Sequence, residues 1–312
     1  MYLGIDIGGT KCAVTKSDKN GNIIAKKSVK TTTYEETIEN IFKMCDSFLP
    51  FEVVGISCGG PLDEKKGIIM SPPNLKGWDN VEIVKMLEDR YKVKAFIEND
   101  ANACALAEWK YGAGKGYQNV VFLTFGTGLG AGLILDGKLY RGSNGNAGEV
   151  GHIRLTDTGP IGFNKEGSFE GYCSGGGLKQ IGQMLAMEEF SKGNKVSFIK
   201  DETELGLITA KLLAEHARKG DKTALKAFDI CAEMLGMGLS VIIDILNPEV
   251  IIIGSIYERC EDLLSEKMQK VLEKEALSNS LSIVKVKPSM LKDEIGDIAA
   301  ISVAVNGVEN DR

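Results

Sequence analysis

The sequence predicts an α/β protein made of two similar halves that hold a ligand between them. Length is the first reason: 312 residues is about twice the ~150 residues of a common domain. A repeated motif is the second. An apolar strand, a glycine–threonine turn and a return strand occupy residues 2–15, and the same series recurs at residues 120–135. The third is the alternation of short apolar runs with segments of helical period, the pattern of strands and crossover helices.

Taken in order, Tyr2-Leu3-Gly4-Ile5-Asp6-Ile7 alternates as a strand, Lys11-Cys12-Ala13-Val14-Thr15 is its return, and Gly8-Gly9-Thr10 joins them. The turn Lys19-Asn20-Gly21 leads into a third strand, Ile23-Ile24-Ala25. Ile38, Ile41, Phe42, Cys45 and Phe48 fall at helical spacing within 34–49. A buried strand at 53–56, a helix near 80–91, a strand at 94–97 and a helix over 101–111 complete the first half. In the second half, Val120–Phe125 and Ala131–Leu135 flank Gly126-Thr127-Gly128. Residues 140–176 read as mostly polar loop, and helices dominate 177–246. A strand at 250–254, a helix at 257–276, a strand at 282–286 and a closing helix at 295–306 follow. The stretch Ala113-Gly114-Lys115-Gly116 sets the expected boundary. It divides a smaller N-terminal domain (1–114) from a larger C-terminal one (115–312), with the closing helix packing back on the first.

Composition removes several function classes. Apolar residues at 43% and charged residues at 26% are ordinary for a folded globular chain and exclude disorder. The net charge of -6 leaves no cationic surplus for a phosphate backbone, so no nucleic-acid partner is expected. No apolar run reaches the ~18 residues of a membrane span. The N-terminus enters a strand at Tyr2 without a basic leader, and the seven cysteines contain no CxxC pair. A cytoplasmic enzyme with reduced thiols is the expectation. Glycine is the unusual component: 37 residues, with 17 of them between Gly126 and Gly182. Glycine is needed where backbone must approach a ligand or take a positive φ, so this concentration suggests turns lining a site.

Four strings carry chemistry. In Asp6-Ile7-Gly8-Gly9-Thr10-Lys11, glycine N–H groups could close on phosphate oxygens, Thr10 adds a hydroxyl, Lys11 a cation, and Asp6 could hold Mg²⁺ through water. A tight hairpin turn is the plainer reading of the same residues. Gly126-Thr127-Gly128 is a second nest of this kind, with the same plain alternative. Glu98-Asn99-Asp100-Ala101-Asn102 lies where a strand ends and a helix begins. Asn99 or Asp100 could simply cap the helix. At the carboxyl end of a strand, Asp100 could equally accept a hydroxyl proton while Asn99 fixes a second hydroxyl. In Gly145-Asn146-Ala147-Gly148-Glu149-Val150-Gly151-His152, the glycine-rich chain cannot pack a core. Glu149 and His152 therefore point at solvent or at a hydroxylated ligand, whose polar groups need partners when buried. His216 sits in a charged helical stretch and reads as a surface residue.

With these strings in this order, the whole chain resembles the ROK family of sugar kinases and sugar-responsive repressors. That likeness implies duplicated actin-like (ribonuclease H-like) ATPase domains with an interdomain cleft. It further implies ATP-dependent phosphorylation of a hexose hydroxyl, glucokinase-type at C6, with Mg²⁺ and a homodimer. Kinases of N-acetylmannosamine, N-acetylglucosamine, fructose, mannose or allose are the alternatives within the family, and a non-enzymatic sugar sensor is the alternative outside catalysis. A DNA-binding repressor is disfavoured, because the first strand begins at residue 2 with no helix-turn-helix ahead of it. By resemblance, Asp100 is the catalytic base. Gly60, Asn99, Asp100, Glu149, His152 and Glu170 are the sugar ligands. Asp6, Gly8, Gly9, Thr10, Lys11, Gly126, Thr127, Gly128 and Gly254 bind ATP. Two departures stand out. Where many members carry zinc-binding cysteines, this chain has Ile161, Phe163 and Ser168. No structural zinc is expected, and apolar packing by Ile161 and Phe163 is expected in its place. Ser255 follows Gly254 where a glycine pair is usual.

Overall fold

The computed structural model describes residues 1–310, whose contacts fall into two compact units. One comprises Met1–Phe122, Gly132–Ala147 and the chain from Met290 onward; the other comprises Leu123–Ala131 and Gly148–Ser289.

The first unit opens with β1 (Tyr2–Ile7), β2 (Lys11–Ser17), β3 (Ile23–Lys30) and α1 (Tyr34–Asp46). It continues with β4 (Val53–Cys58), the short pair β5 (Leu62–Asp63) and β6 (Ile68–Ile69), α2 (Ile83–Tyr91), β7 (Lys94–Asn99) and α3 (Asp100–Tyr111). The sheet order is β3-β2-β1-β4-β7. β1 runs antiparallel to β2 and parallel to β4, and β4 runs parallel to β7. Successive side chains on a strand face opposite ways. Leu3, Ile5 and Ile7 therefore enter a core with Ile38 and Ile41 of α1 and Leu87 of α2. Gly4 and Asp6 turn to the other face, where the C-terminal helix (Ile295–Asn310) lies. That helix comes so close that a Cβ on Gly55 of β4 would sit 2.1 Å from the Ala300 carbonyl oxygen. Only glycine permits this approach.

The remaining elements are β8 (Val120–Phe125), β9 (Leu129–Leu135), β10 (Lys138–Tyr140), β11 (Ile161–Gly162), β12 (Lys165–Glu166), α4 (Phe169–Tyr172) and α5 (Gly175–Ser191). After them come α6 (Ala210–Ala217), α7 (Lys222–Leu246), β13 (Val250–Ile253), α8 (Ile256–Glu275), α9 (Ser278–Leu281), β14 (Lys285–Pro288) and the C-terminal helix, now α10. The second sheet has the order β10-β9-β8-β13-β14, and β13 runs parallel to β14.

The two compact units meet at 122/123, and residues 132–147 group with the first unit. Packing explains this: a Cβ on Gly132 would lie 2.5 Å from Ala105 Cβ, so the return strand β9 rests on α3. Several expectations need correction. The third strand continues to Lys30, because its pairing with β2 runs on to Lys30 opposite Lys11. Residues 140–176 contain the β11–β12 hairpin and α4 rather than loop alone. The strand expected at 282–286 begins at Lys285, since α9 and the turn after it occupy the preceding residues. The seven cysteines are free, all buried except Cys104. No helix among the described residues is long and apolar enough to cross a membrane.

Candidate active site

In the first unit, three neighbouring parallel strands end together. The register aligns Ile7 of β1 with Cys58 of β4, and Cys58 with Asn99 of β7. The residues that follow each strand thus gather at one sheet edge, the place where open α/β sheets bind ligands. These are Gly8-Gly9, Gly59-Gly60 and Asp100. A Cβ on Gly60 would lie 3.3 Å from Asn99 Nδ2, and one on Gly59 would lie 3.9 Å from Asp100 Oδ2. The sequence singled out Gly60 and missed Gly59.

The capping reading of the Glu98–Asn102 string is seen directly. Asn99 caps α3 through Oδ1, which accepts the Ala101 N–H at 2.9 Å, and Asp100 Oδ1 accepts the same group at 2.8 Å. Asp100 Oδ2 takes no hydrogen bond from the described residues and stays open beside Gly59. The Gly8–Lys11 turn is likewise a hairpin, closed by a 3.2 Å bond from Gly8 N–H to the Lys11 carbonyl. Gly9, Thr10 and Lys11 nevertheless remain exposed and available.

Carboxylates crowd this edge. Asp6, on the face of β1 turned toward α10, has Oδ2 3.2 Å from where a Gly296 Cβ would stand. Burial raises its pKa from the ordinary 3.8 to about 7, with Asp297 and Asp100 adding repulsion and Lys11 and Lys26 partly offsetting it. Asp297 is buried on the first turn of α10, where it pairs with Lys26 of β3 and accepts a 3.3 Å bond from Thr15 Oγ1. Sequence reading assigned neither Asp297 nor Lys26 to the site. The Asp100 carboxylate is open at its tip yet ringed by protein, and that burial pushes its pKa up against the pull of the Ala101 N–H. A base moved toward neutrality is suited to taking a proton at physiological pH.

In the second unit, the structure brings together Gly126-Thr127-Gly128, Glu149, His152 and Glu170. Glu170 Oε2 accepts the Leu129 N–H at 2.9 Å and lies 2.7 Å from where a Gly128 Cβ would be. A Cβ on Gly151 would meet the Leu129 carbonyl oxygen at 2.1 Å, so the 149–152 turn packs directly under the β8–β9 turn. Glu149 and His152 are both exposed, as expected from glycine-rich chain. The second glycine turn also receives a helix start. Gly175 N–H donates to the Gly126 carbonyl at 2.8 Å, and Ser174 caps α5 by accepting from Gly177 N–H at 2.9 Å. A helix N-terminus beside a glycine turn favours an anion. Ser174-Gly175-Gly176 had no motif to reveal it. Gly254 N–H bonds the Leu123 carbonyl at 3.0 Å, which brings Ser255 to the same turn, with its Oγ 3.7 Å from a Gly126 Cβ position.

Ser255 takes φ 56° and ψ -105° and makes no side-chain cap for α8. This backbone region suits glycine, and another residue there costs of order 1–3 kcal/mol. Ser255→Gly should therefore raise stability by about 1 kcal/mol. Thermal melting checks this, and a lowered midpoint would contradict the strain.

The expected packing of Ile161 and Phe163 does not occur: they are 55% and 76% exposed. Phe163 and Asn164 both have positive φ, forming the two-residue turn of the β11–β12 hairpin, which throws the Phe163 side chain outward against the His152 ring. Polar bonds hold the segment instead. Gln180 brackets Ile161, accepting its N–H at 2.9 Å and donating to its carbonyl at 2.8 Å. Arg154 donates to the Glu166 carbonyl, Lys165 to the His152 carbonyl, and buried Ser168 caps α4 at Gly171 N–H. These residues do not fit a tetrahedral zinc site, which needs four nitrogen or sulfur ligands. Among the described residues, no group of three or more His, Cys, Asp or Glu is placed to hold a metal. His216 is half-buried, bonded through Nδ1 to Ser197 Oγ at 2.6 Å, away from these groups.

Comparison with known proteins agrees over the full length. The ROK family profile matches residues 2–306. A glucokinase of Streptomyces coelicolor is 31% identical over 310 residues, covering 97% of each chain. The structure of a ROK family glucokinase from Streptomyces griseus, in complex with glucose and AMPPNP, superposes with a TM-score of 0.77 at 30% identity, covering 97% of this chain and 98% of the other. That of a ROK hexokinase from Thermus thermophilus gives 0.80 at 26% identity, covering 99% of each.

Proposed function

Because the chain belongs to the ROK family, we propose that it transfers the γ-phosphoryl group of ATP to a hexose hydroxyl, glucose at C6 being the preferred acceptor. Its two sheets share a plan of hairpin followed by crossover strands, which supports a duplicated actin-like ATPase domain. The observation that carries the reading is the free Oδ2 of Asp100 at the joint end of three parallel strands, flanked by Asn99 and two glycines. Gly60, Asn99, Asp100, Glu149, His152 and Glu170 are the proposed sugar ligands. Glu170 already spends one oxygen on Leu129, so the other meets the sugar.

In the proposed reaction Asp100 accepts the hydroxyl proton as the sugar oxygen bonds to the γ-phosphorus and the bond to the ADP oxygen breaks. The turns at Gly8–Lys11 and Gly126–Gly128, with the start of α5, donate N–H groups to phosphate oxygens. Gly254 approaches the nucleotide from β13. Positioning and charge stabilisation carry most of such a transfer. Asp6 fits a hydrated divalent cation: it sits among like charges that a cation would relieve. Mg²⁺ held there would neutralise the phosphate charge. A homodimer and a cytoplasmic location are proposed with the same family reading.

A coupled assay of ADP release over glucose, mannose, fructose, allose and the two N-acetylhexosamines tests this. Glucose should give the highest kcat/KM. Preference for an N-acetylhexosamine would reassign the acceptor, and ADP release independent of any sugar would overturn the kinase reading.

A further inference from the structure

Arg141 lies just after β10, forty-three residues beyond Glu98, and no motif connects the two. Its Nε–H donates to Glu98 Oε1. Glu98 is 3% exposed and is the last buried residue of β7 before Asn99 and Asp100. Its side chain points to the sheet face opposite Asn99, the face on which Ser57 and Asp6 lie beside it in register. Asn102, one helical turn further on and also buried, lies close enough to the same carboxylate to favour its ionised form. Glu64 faces it as a like charge, and Glu98 Oε2 has no hydrogen-bond partner. Among the described residues, Arg141 is thus the one cation holding this carboxylate. The arginine is itself fixed, its carbonyl accepting the Ala147 N–H at 3.1 Å.

Ion pairs, whether exposed or buried, contribute little net stability, so stability alone does not account for this one, in which Glu98 is buried and Arg141 is partly exposed. Its location does. Residue 98 bonds Arg141 and residue 102 lies by the same carboxylate, while residues 99 and 100 between them lie at the sheet edge. We propose that Arg141 is a positioning residue for the phosphoryl transfer, clamping the Glu98–Asn102 string through Glu98, on the sheet face opposite Asn99, so that Asn99 and Asp100 keep their orientation. This rests on the kinase reading above. A displacement of about 1 Å at a reacting group can cost about a hundredfold in rate.

The same unit provides a direct test. The Arg141 and Glu98 side chains line a cavity of about 540 Å³, together with Lys65, Lys85, Phe96 and Asn306. A small guanidinium can therefore reach the place of a truncated arginine. Arg141→Ala should lower kcat/KM for the hexose by about 100-fold, with KM for the hexose raised and KM for ATP changed by less than about twofold. Methylguanidinium at millimolar concentration should recover at least about tenfold of the loss. A protein that was merely destabilised would lose further activity in it. Arg141→Lys, which keeps the charge and protects against misfolding, should fall between the two. Wild-type constants in both variants, or a loss in kcat alone that methylguanidinium does not reverse, would overturn the clamp while leaving the kinase reading intact. A wild-type protein that phosphorylates no hexose would overturn both.

Discussion

Asp100→Asn should reduce kcat by about a thousandfold while changing hexose affinity by less than about threefold. The amide preserves the shape of the carboxylate and its oxygen can still accept the Ala101 N–H, so the start of α3 stays intact. What it cannot do is take a proton. Burial already raises the Asp100 pKa, which means that the fold disfavours the charge it uses for catalysis. The variant should therefore melt no lower than the wild type, which separates lost chemistry from lost structure. Steady-state kinetics with calorimetric titration of the sugar would measure both, and near-normal turnover would remove Asp100 from the role of base.

Asp6→Asn should show an opposed pair of effects. Turnover should drop by about a hundredfold, because the proposed cation and phosphate charge lose their anionic anchor. Stability should rise. The folded-state pKa of about 7 lies above the ordinary 3.8, so between those values the folded chain binds more protons than the unfolded one. Stability then falls as pH climbs from about 4 to about 7, and the full penalty is present above that. Removing the charge should gain on the order of 2–4 kcal/mol at pH 8 and almost nothing at pH 4. Thermal melts of both proteins at the two pH values, without ligand, would check this. An equal change at pH 4 and pH 8 would show that the ionisation of Asp6 is not its source.

Much of this was readable from local pattern. The hairpins at 2–17 and 120–135, the strand-to-helix junction at Asp100 and the exposure of Glu149 and His152 follow from period, turn chemistry and glycine content within a few residues. What failed has a common cause. Ile161 and Phe163 are apolar, but their place in a two-residue turn, not their hydrophobicity, decides where they point. The pairs Lys26–Asp297 and Glu98–Arg141 join distant parts of the chain, and no sequence period marks such contacts. The glycines at 4 and 55 look like strand residues that weaken a sheet; their reason, the close passage of α10, lies some 240 residues or more downstream.

Phosphorus NMR of the wild-type protein with ATP, Mg²⁺ and glucose tests the central claim most directly, since it identifies the bond made. A new phosphomonoester signal should form, split into a triplet by the two protons on C6, in step with ADP and missing with Asp100→Asn. A doublet from phosphate on C1, or inorganic phosphate alone, would contradict it.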